Sequence, residues 1–267
     1  MEISEAVRVA ALFPASDLPD TPPQHPYQQV RREGFVVGWF VGLSSGLVGV
    51  RSVEEDDVER VVAEAREILS THGLRKSAWS VPEAASPPRL VDRLAEFGMV
   101  PYDEPPFEPR RASLVLVEPP EPGPPQVIAR PVETFDEFSV ASRVAFDAFQ
   151  ESDDDRRAFE KQEELLWGFE TSWPHYQTFV AILDGQIVAT AASIYGANCV
   201  FLVGGSTRED MRGRGAYRAL VRARWDAAVD RGTPALTVGA ESMSRPILTR
   251  LGFVNVGWTD CLIDRFA

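Results

Sequence analysis

The sequence predicts an α/β (α+β) protein made of two related units. Three observations carry that prediction. Strand-period and helix-period patterns alternate along the 267 residues. An order of segments in the first half returns in the second. Between about 101 and 126 lies a stretch with nine prolines. Proline fixes φ and has no ladder donor, so the PPEPGPP end of that stretch cannot be a central strand or a helix interior. It is expected to be a semi-rigid linker, 119–126, between a first domain of residues 1–118 and a second of residues 127–267.

In the first half, Phe35–Val41 and Leu47–Arg51 read as strands. The segment Glu54–Ser70 carries Val58, Val61, Val62, Ala65 and Leu69 at helical spacing. Trp79-Ser80-Val81 is a strand, Leu90–Phe97 a short helix closed by Gly98, and Ala112–Val117 a last strand. In the second half, Val127–Val132 is a strand and Thr134 precedes an amphipathic helix to about Phe149. Ser152, before Asp153-Asp154-Asp155, is an N-cap signal for a second helix to about Glu170. Thr178–Leu183 and Ile187–Tyr195 flank Asp184-Gly185, the signature of a two-residue hairpin turn. Val200–Thr207 is a strand, Met211–Gly215 a glycine-containing turn and Ala216–Asp230 a helix ended by Gly232. A strand (Ala235–Ala240), a short helix (Arg245–Arg250, then Gly252) and a last strand (Val256–Phe266) complete the chain. The run helix, Gly, strand, short helix, Gly, strand occurs in both halves, which reads as an internal duplication.

Composition narrows the functional classes. The chain is 44% hydrophobic and 25% charged, with a formal charge of −13, ordinary values for a globular protein. No basic face is available for phosphate backbones, so nucleic acid is not an expected partner. No apolar run reaches the roughly 20 residues of a membrane helix, and the first residues lack the basic start of a signal peptide. A cytoplasmic protein with no membrane partner, monomeric or homodimeric, is expected. Cys199, Cys261, His25, His72 and His175 show no metal-ligand spacing, so no metal is expected.

The chemistry points to one turn. Met211-Arg212-Gly213-Arg214-Gly215-Ala216-Tyr217 joins a strand to a helix, where unpaired N–H groups converge at the positive end of the helix dipole. Glycines there remove the Cβ atoms that would hold an anion off, and Arg212, Arg214 and Arg218 add charge. A phosphate or pyrophosphate suits such a site. Gly204-Gly205, inside the preceding strand pattern, signals a bulge or a close backbone approach.

These residues resemble the acyl-CoA motif of the GNAT (GCN5-related N-acetyltransferase) superfamily, Gln/Arg-x-x-Gly-x-Gly/Ala. Arg212 to Tyr217 matches it except at Tyr217, where glycine or alanine is usual. The element order from Val127 to Phe266, and Leu251-Gly252-Phe253, resemble the same family. The resemblance implies two GNAT-like domains, each a mixed, mostly antiparallel sheet flanked by helices. It implies acetyl-CoA as co-substrate, with the backbone of Gly205, Ser206 and Thr207 pairing with the pantetheine arm. The N–H groups of Gly213, Arg214, Gly215, Ala216, Tyr217 and Arg218 would then cradle the pyrophosphate. The expected activity is transfer of an acetyl or short acyl group to a primary amine of a small molecule or peptide. The family's usual acid is a tyrosine in the short C-terminal helix, and that position is Leu248 here. Glu241, where asparagine is common, is a candidate base, and Tyr195 a second candidate catalytic group. The ordinary reading of Glu241 is a solvated loop glutamate, and Tyr195 is expected to face the cleft. His175 reads as a turn residue and Cys199 as a packed thiol. The first half has Glu54-Glu55-Asp56-Asp57 where the phosphate turn should fall, so it is expected to be a degenerate copy. A non-catalytic acyl-CoA-binding module stays open as the alternative, because of Leu248.

Overall fold

The computed structural model describes residues 2–41, 44–103, 108–149 and 153–267. In chain order the elements begin with helices α1 (Glu5–Leu12) and α2 (Pro14–Asp17). Strands β1 (Tyr27–Arg32), β2 (Phe35–Phe40) and β3 (Gly46–Val50) follow, then α3 (Val58–Thr71), β4 (Lys76–Pro82), α4 (Leu90–Glu96), β5 (Val100–Pro101) and β6 (Arg110–Leu116). The second half has β7 (Ile128–Pro131), α5 (Phe135–Phe149), α6 (Asp153–Glu160), α7 (Glu163–Ser172), β8 (Tyr176–Leu183), β9 (Gln186–Tyr195) and β10 (Val200–Thr207). It ends with α8 (Ala216–Asp230), β11 (Leu236–Ala240), α9 (Arg245–Arg250) and β12 (Val254–Arg265).

The chain forms two compact units that are interleaved in sequence. The first holds Arg8–Leu114, Gly239–Ile247 and Asn255–Ala267; the second is mainly Val115–Val238 with Leu248–Val254. This differs from the expected consecutive domains 1–118 and 127–267. The reason is the last strand: β12 pairs antiparallel with β4, from Thr259↔Pro82 to Arg265↔Lys76. Hydrophobic alternation can mark β12 as a strand, but it does not encode which edge the strand will join.

In the first unit β1, β2 and β3 form an antiparallel meander, and β3 runs parallel to β4 through the crossover helix α3. The stripe Val58, Val61, Val62, Ala65 and Leu69 is buried against Phe35, Val37, Val48, Trp79 and Leu262. In the second unit β7, β8, β9 and β10 pair antiparallel in order, and β10 runs parallel to β11 through α8. Ala216, Ala219 and Leu220 of α8 pack on Phe179, Ala181, Val188 and Ala191. Each unit therefore has the same core motif, a hairpin, a strand, a crossover helix and a parallel strand. That is the architecture the duplicated pattern predicts.

Turn chemistry follows the sequence closely. Asp184 and Gly185 have φ of 52° and 74°, the left-handed pair of a two-residue hairpin turn. Thr134 accepts the Glu137 N–H at 3.2 Å, and the Glu137 carboxylate accepts the Glu133 N–H at 2.9 Å, which together fix the start of α5. The single helix expected from Ser152 to Glu170 is instead two. At the break, Gln162 N–H donates to Phe159 O, a tighter i to i−3 bond, and Gln162 leaves helical geometry at φ −117°, ψ 2°. Ser152 itself lies outside the described residues. Among the described residues no helix is long and apolar enough to cross a membrane.

Candidate functional site

The site is built where β10 leaves β11. Their parallel ladder has two rungs, Val200↔Leu236 and Phe201↔Thr237. From Leu202 onward β10 keeps β9 as its partner, and its other edge has none among the described residues. Its pairing with β9 shifts between Val203 and Ser206, with Gly204 at φ 61° and Val203, Gly204 and Gly205 exposed. A bulge re-aims the strand. The result is a short exposed backbone edge with its amides open to a ligand, as Gly204-Gly205 predicts. Ser206 is buried with its Oγ unpartnered, so its backbone rather than its hydroxyl borders this edge.

The turn into α8 lies immediately downstream. Gly213 (φ 76°) and Gly215 (φ 84°) hold left-handed conformations that other residues adopt at a cost. A Cβ on Gly213 would meet open space, whereas one on Gly215 would lie 2.5 Å from the Pro124 ring. The first α8 hydrogen bond runs from Ala219 N–H to Gly215 O. Among the described residues, the backbone N–H groups of Gly213, Arg214, Gly215, Ala216, Tyr217 and Arg218 have no acceptor. Arg212 and Arg214 are exposed and, among the described residues, have no carboxylate partner. Arg218 reaches Glu121 only at 3.9 Å. Six free donors at the positive end of a 15-residue helix, ringed by unpaired guanidiniums, form an anion cradle. The residues present fit a pyrophosphate.

Tyr217, the one departure from the motif, has a structural answer. A Cβ on Gly205 would sit 2.8 Å from Cε2 of the Tyr217 ring. The ring thus fills the space that a side chain at position 205 would take, so the bulky helix residue and the bare strand residue are complementary.

The catalytic candidates are more scattered. Tyr195 is buried, its hydroxyl donates to Gln177 Oε1 at 2.7 Å, and the Arg231 guanidinium lies 3.7 Å from its ring centroid. Burial pushes its hydroxyl pKa up. His175 is clipped to the end of β9, with Nδ1 3.2 Å from Tyr195 O. Cys199 is fully buried. Leu248 on α9 is also fully buried, so no side chain there can protonate a leaving group. Glu241 belongs to the first unit, one residue past β11. Its N–H donates to Ser244 Oγ at 3.2 Å, and burial, aided by the nearby Glu108 carboxylate, raises its pKa; the Glu108 N–H and Arg111 oppose that.

Sequence reasoning missed Arg224, which is completely buried on α8. Its signal was present: it falls among Ala219, Leu220, Val221, Trp225 and Ala228, the buried positions of that helix. The first unit's counterpart of the exposed β10 edge is closed by its own chain. Ser86 N–H donates to Arg51 O (3.2 Å), Val53 N–H donates to Ser86 O (3.0 Å), and the Ser52 and Ser86 hydroxyls bond at 2.9 Å. Glu54, Glu55, Asp56 and Asp57 follow at the entry to α3.

Comparison with known proteins places this geometry. Residues 143–253 match the model of the Acetyltransferase (GNAT) family. No curated protein matches the sequence. Among solved structures, a GCN5-related N-acetyltransferase from Kribbella flavida superposes with a TM-score of 0.68 at 19% identity, covering 98% of this chain and 96% of that one. A tandem GNAT protein from the clavulanic acid biosynthesis pathway gives 0.63 at 16% identity, over 97% and 87%. A GCN5-related N-acetyltransferase from Sphaerobacter thermophilus gives 0.59 at 15% identity, over 90% and 76%. Those likenesses extend the fold over nearly the whole chain, and the segment that carries the open edge and the glycine turn lies within the stretch that matches the Acetyltransferase (GNAT) family.

Proposed function

We propose that the protein transfers an acetyl or other short acyl group from acyl-CoA to a primary amine of a small molecule or peptide, by direct attack in a ternary complex. The observation that carries this reading is the set of six acceptor-free N–H groups from Gly213 to Arg218, flanked by Arg212 and Arg214. They would hold the pyrophosphate, while the open backbone of Gly205, Ser206 and Thr207 would pair with the pantetheine amides. When bound, acetyl-CoA supplies the acyl group as a thioester. The chain's work is then largely to hold amine and carbonyl together, since positioning alone removes much of the barrier. We assign the general base to Glu241, whose raised pKa brings a carboxylate nearer to the working range of a base. Tyr195, with its hydroxyl already committed to Gln177, takes second place.

Calorimetry with acetyl-CoA tests the binding. One site per chain is expected, lost in Gly215→Glu. Because Gly215 is conformationally constrained, Arg212→Glu/Arg214→Glu serves as the variant that leaves the turn intact, and it should weaken binding at least tenfold. Unchanged affinity in that double variant would overturn the cradle. For Glu241→Gln, kcat should fall about 100-fold with cofactor affinity kept. The base acts ionised, so wild-type turnover should rise with pH through a value above the ordinary carboxylate range. That limb should vanish in the variant.

Leu248 supports a second reading, an acyl-CoA-binding module without turnover. Release of CoA with any amine in a broad panel decides for the enzyme; binding with no release decides for the module.

A further inference from the structure

Arg224 is the least expected residue of the second unit. It is wholly shielded from solvent, yet among the described residues no carboxylate neutralises it. Buried charges are ordinarily paired, because an isolated ion in a low-dielectric interior costs several kcal/mol. Two of its nitrogens are tied to backbone: Nε donates to Leu220 O at 3.1 Å and Nη1 to Ala192 O at 3.3 Å. Nη2 has no partner. Burial pulls the guanidinium pKa down, and the Tyr217 and Tyr195 hydroxyls beside it oppose that. Next to the anchoring carbonyl, Ser193 is likewise buried with an unpartnered Oγ.

Its position relative to the open edge gives this charge a purpose. Ala192, which holds Nη1, pairs with Val203 of β10. Val203 is the second residue beyond Phe201, where the β10–β11 ladder ends. Arg224 is therefore fastened to the strand directly opposite the start of the unpaired edge. Tyr217, whose ring Cε2 lies 2.8 Å from where a Cβ on Gly205 would stand, is on the same helix two turns earlier. At the position where the family resemblance implies a proton donor for the leaving thiol stands Leu248, apolar and buried.

We propose that Arg224 is an electrostatic positioning residue, a fixed buried cation behind the splay that stabilises negative charge on the departing sulfur. This rests on the acyl-CoA reading given above. As the amine nitrogen forms its bond to the acyl carbon, the carbon–sulfur bond breaks, its electron pair goes to sulfur, and the nitrogen gives up its surplus proton to the base or to water. A thiolate can then leave as such and be protonated later by water, without a tyrosine. Fixed charge in a water-poor site is worth more than in solvent, because no reorganisation is needed at the moment of reaction. Leucine at 248 and an unneutralised arginine at 224 are, on this view, two parts of one arrangement.

The test reads the sulfur itself and needs no acceptor. CoA bound to the full-length protein is titrated with base, following thiolate absorbance as a difference spectrum against the protein alone. In the wild type the bound thiol should ionise about one pH unit below free CoA, a roughly tenfold larger ionisation constant. Arg224→Lys should keep most of that shift. Arg224→Met should return the thiol to its free value, with CoA affinity changed less than threefold. A wild-type thiol that titrates like free CoA, with calorimetry showing it bound, would overturn the proposal while leaving the cofactor site standing. Equal thiol ionisation in wild type and Arg224→Met would also overturn it. Should Arg224→Met fail to fold, the comparison of wild type with free CoA decides alone. No binding of CoA by the wild type would instead sink the acyl-CoA reading, and this inference with it.

Discussion

Arg130 and Glu137 show how a single pair can fix the entry to a unit. Arg130 donates through Nη2 and Nη1 to the two Glu137 oxygens at 2.6 and 2.9 Å, a planar fork on a planar acceptor. The guanidinium, with the Glu133 N–H, holds the Glu137 carboxyl well below its ordinary value, at about 2. A depressed carboxylate contributes stability that is complete above its unfolded value near 4.5 and is lost as pH falls toward 2. The pair is partly solvated, so its worth is about 0.5 kcal/mol, not the full shift. Glu137→Gln should therefore lower Tm slightly at pH 7 and flatten its decline between about pH 4.5 and 2.5. An acid limb identical to wild type in a thermal scan series would remove the pair from the account. Part of this was legible, because Thr134 and Glu137 stand at capping-box spacing. The Arg130 contact was not, since seven residues separate the partners across a strand-to-helix corner. The same contrast holds in the candidate site. The glycines at 204, 205, 213 and 215 announce backbone conformations directly. Arg224 and the fit of Tyr217 against Gly205 depend on which helix face meets which strand.

Strand β12 carries the clearest element-scale lesson. Its alternation identifies it as a strand, and its burial fits a central place, with Cys261, Leu262 and Ile263 all buried. What it pairs with is set by groups far away in sequence. Asp264, fully buried, receives a bidentate bond from Arg66 of α3 at 2.7 and 2.9 Å, and Arg66 also donates to Phe97 O at 2.8 Å. The Arg66 pKa is raised by that bond. One guanidinium thus ties β12, α3 and the end of α4 together. Asp264→Ala removes the acceptor and leaves Arg66 partly buried without it. The expected cost is roughly 2 kcal/mol, below the 3–5 of a fully enclosed pair because water reaches Arg66 from one side. That should lower Tm by about 5 °C. Amide exchange should accelerate most along β12 and its partner β4. Uniform acceleration over the whole chain, with no concentration in these strands, would show that the pair does not anchor β12. Hairpins and crossover helices were readable because their contacts are local. The strand that closes the first unit's sheet was not, because its determinants, Arg66 and Asp264, are 198 positions apart.

At the scale of the molecule, the interleaving of the chain makes a sharp statement about what can fold. The proline-rich stretch invites a cut, and consecutive domains would survive one. Here a fragment of residues 1–118 would lack Asn255–Ala267, which supplies the β4 partner. Seven residues of β4, Lys76–Pro82, would then present unpaired N–H and C=O groups along one edge, beside Trp79 and Val81. Such an edge is a template for association between chains. The complementary fragment, residues 119–267, would carry β12 with no β4 to pair with, and Leu262 and Ile263 would lose their cover. Expressed alone, each fragment should be aggregation-prone, and co-expressed they should assemble into a soluble complex that regains acetyl-CoA binding. Adding residues 255–267 through a flexible linker to the end of the 1–118 fragment should rescue its solubility, because the linker only has to deliver the strand to an edge already shaped for it. Independent solubility and a cooperative thermal transition in the bare 1–118 fragment would show that β12 is dispensable to the first unit. That outcome would restore the consecutive division that the prolines suggest.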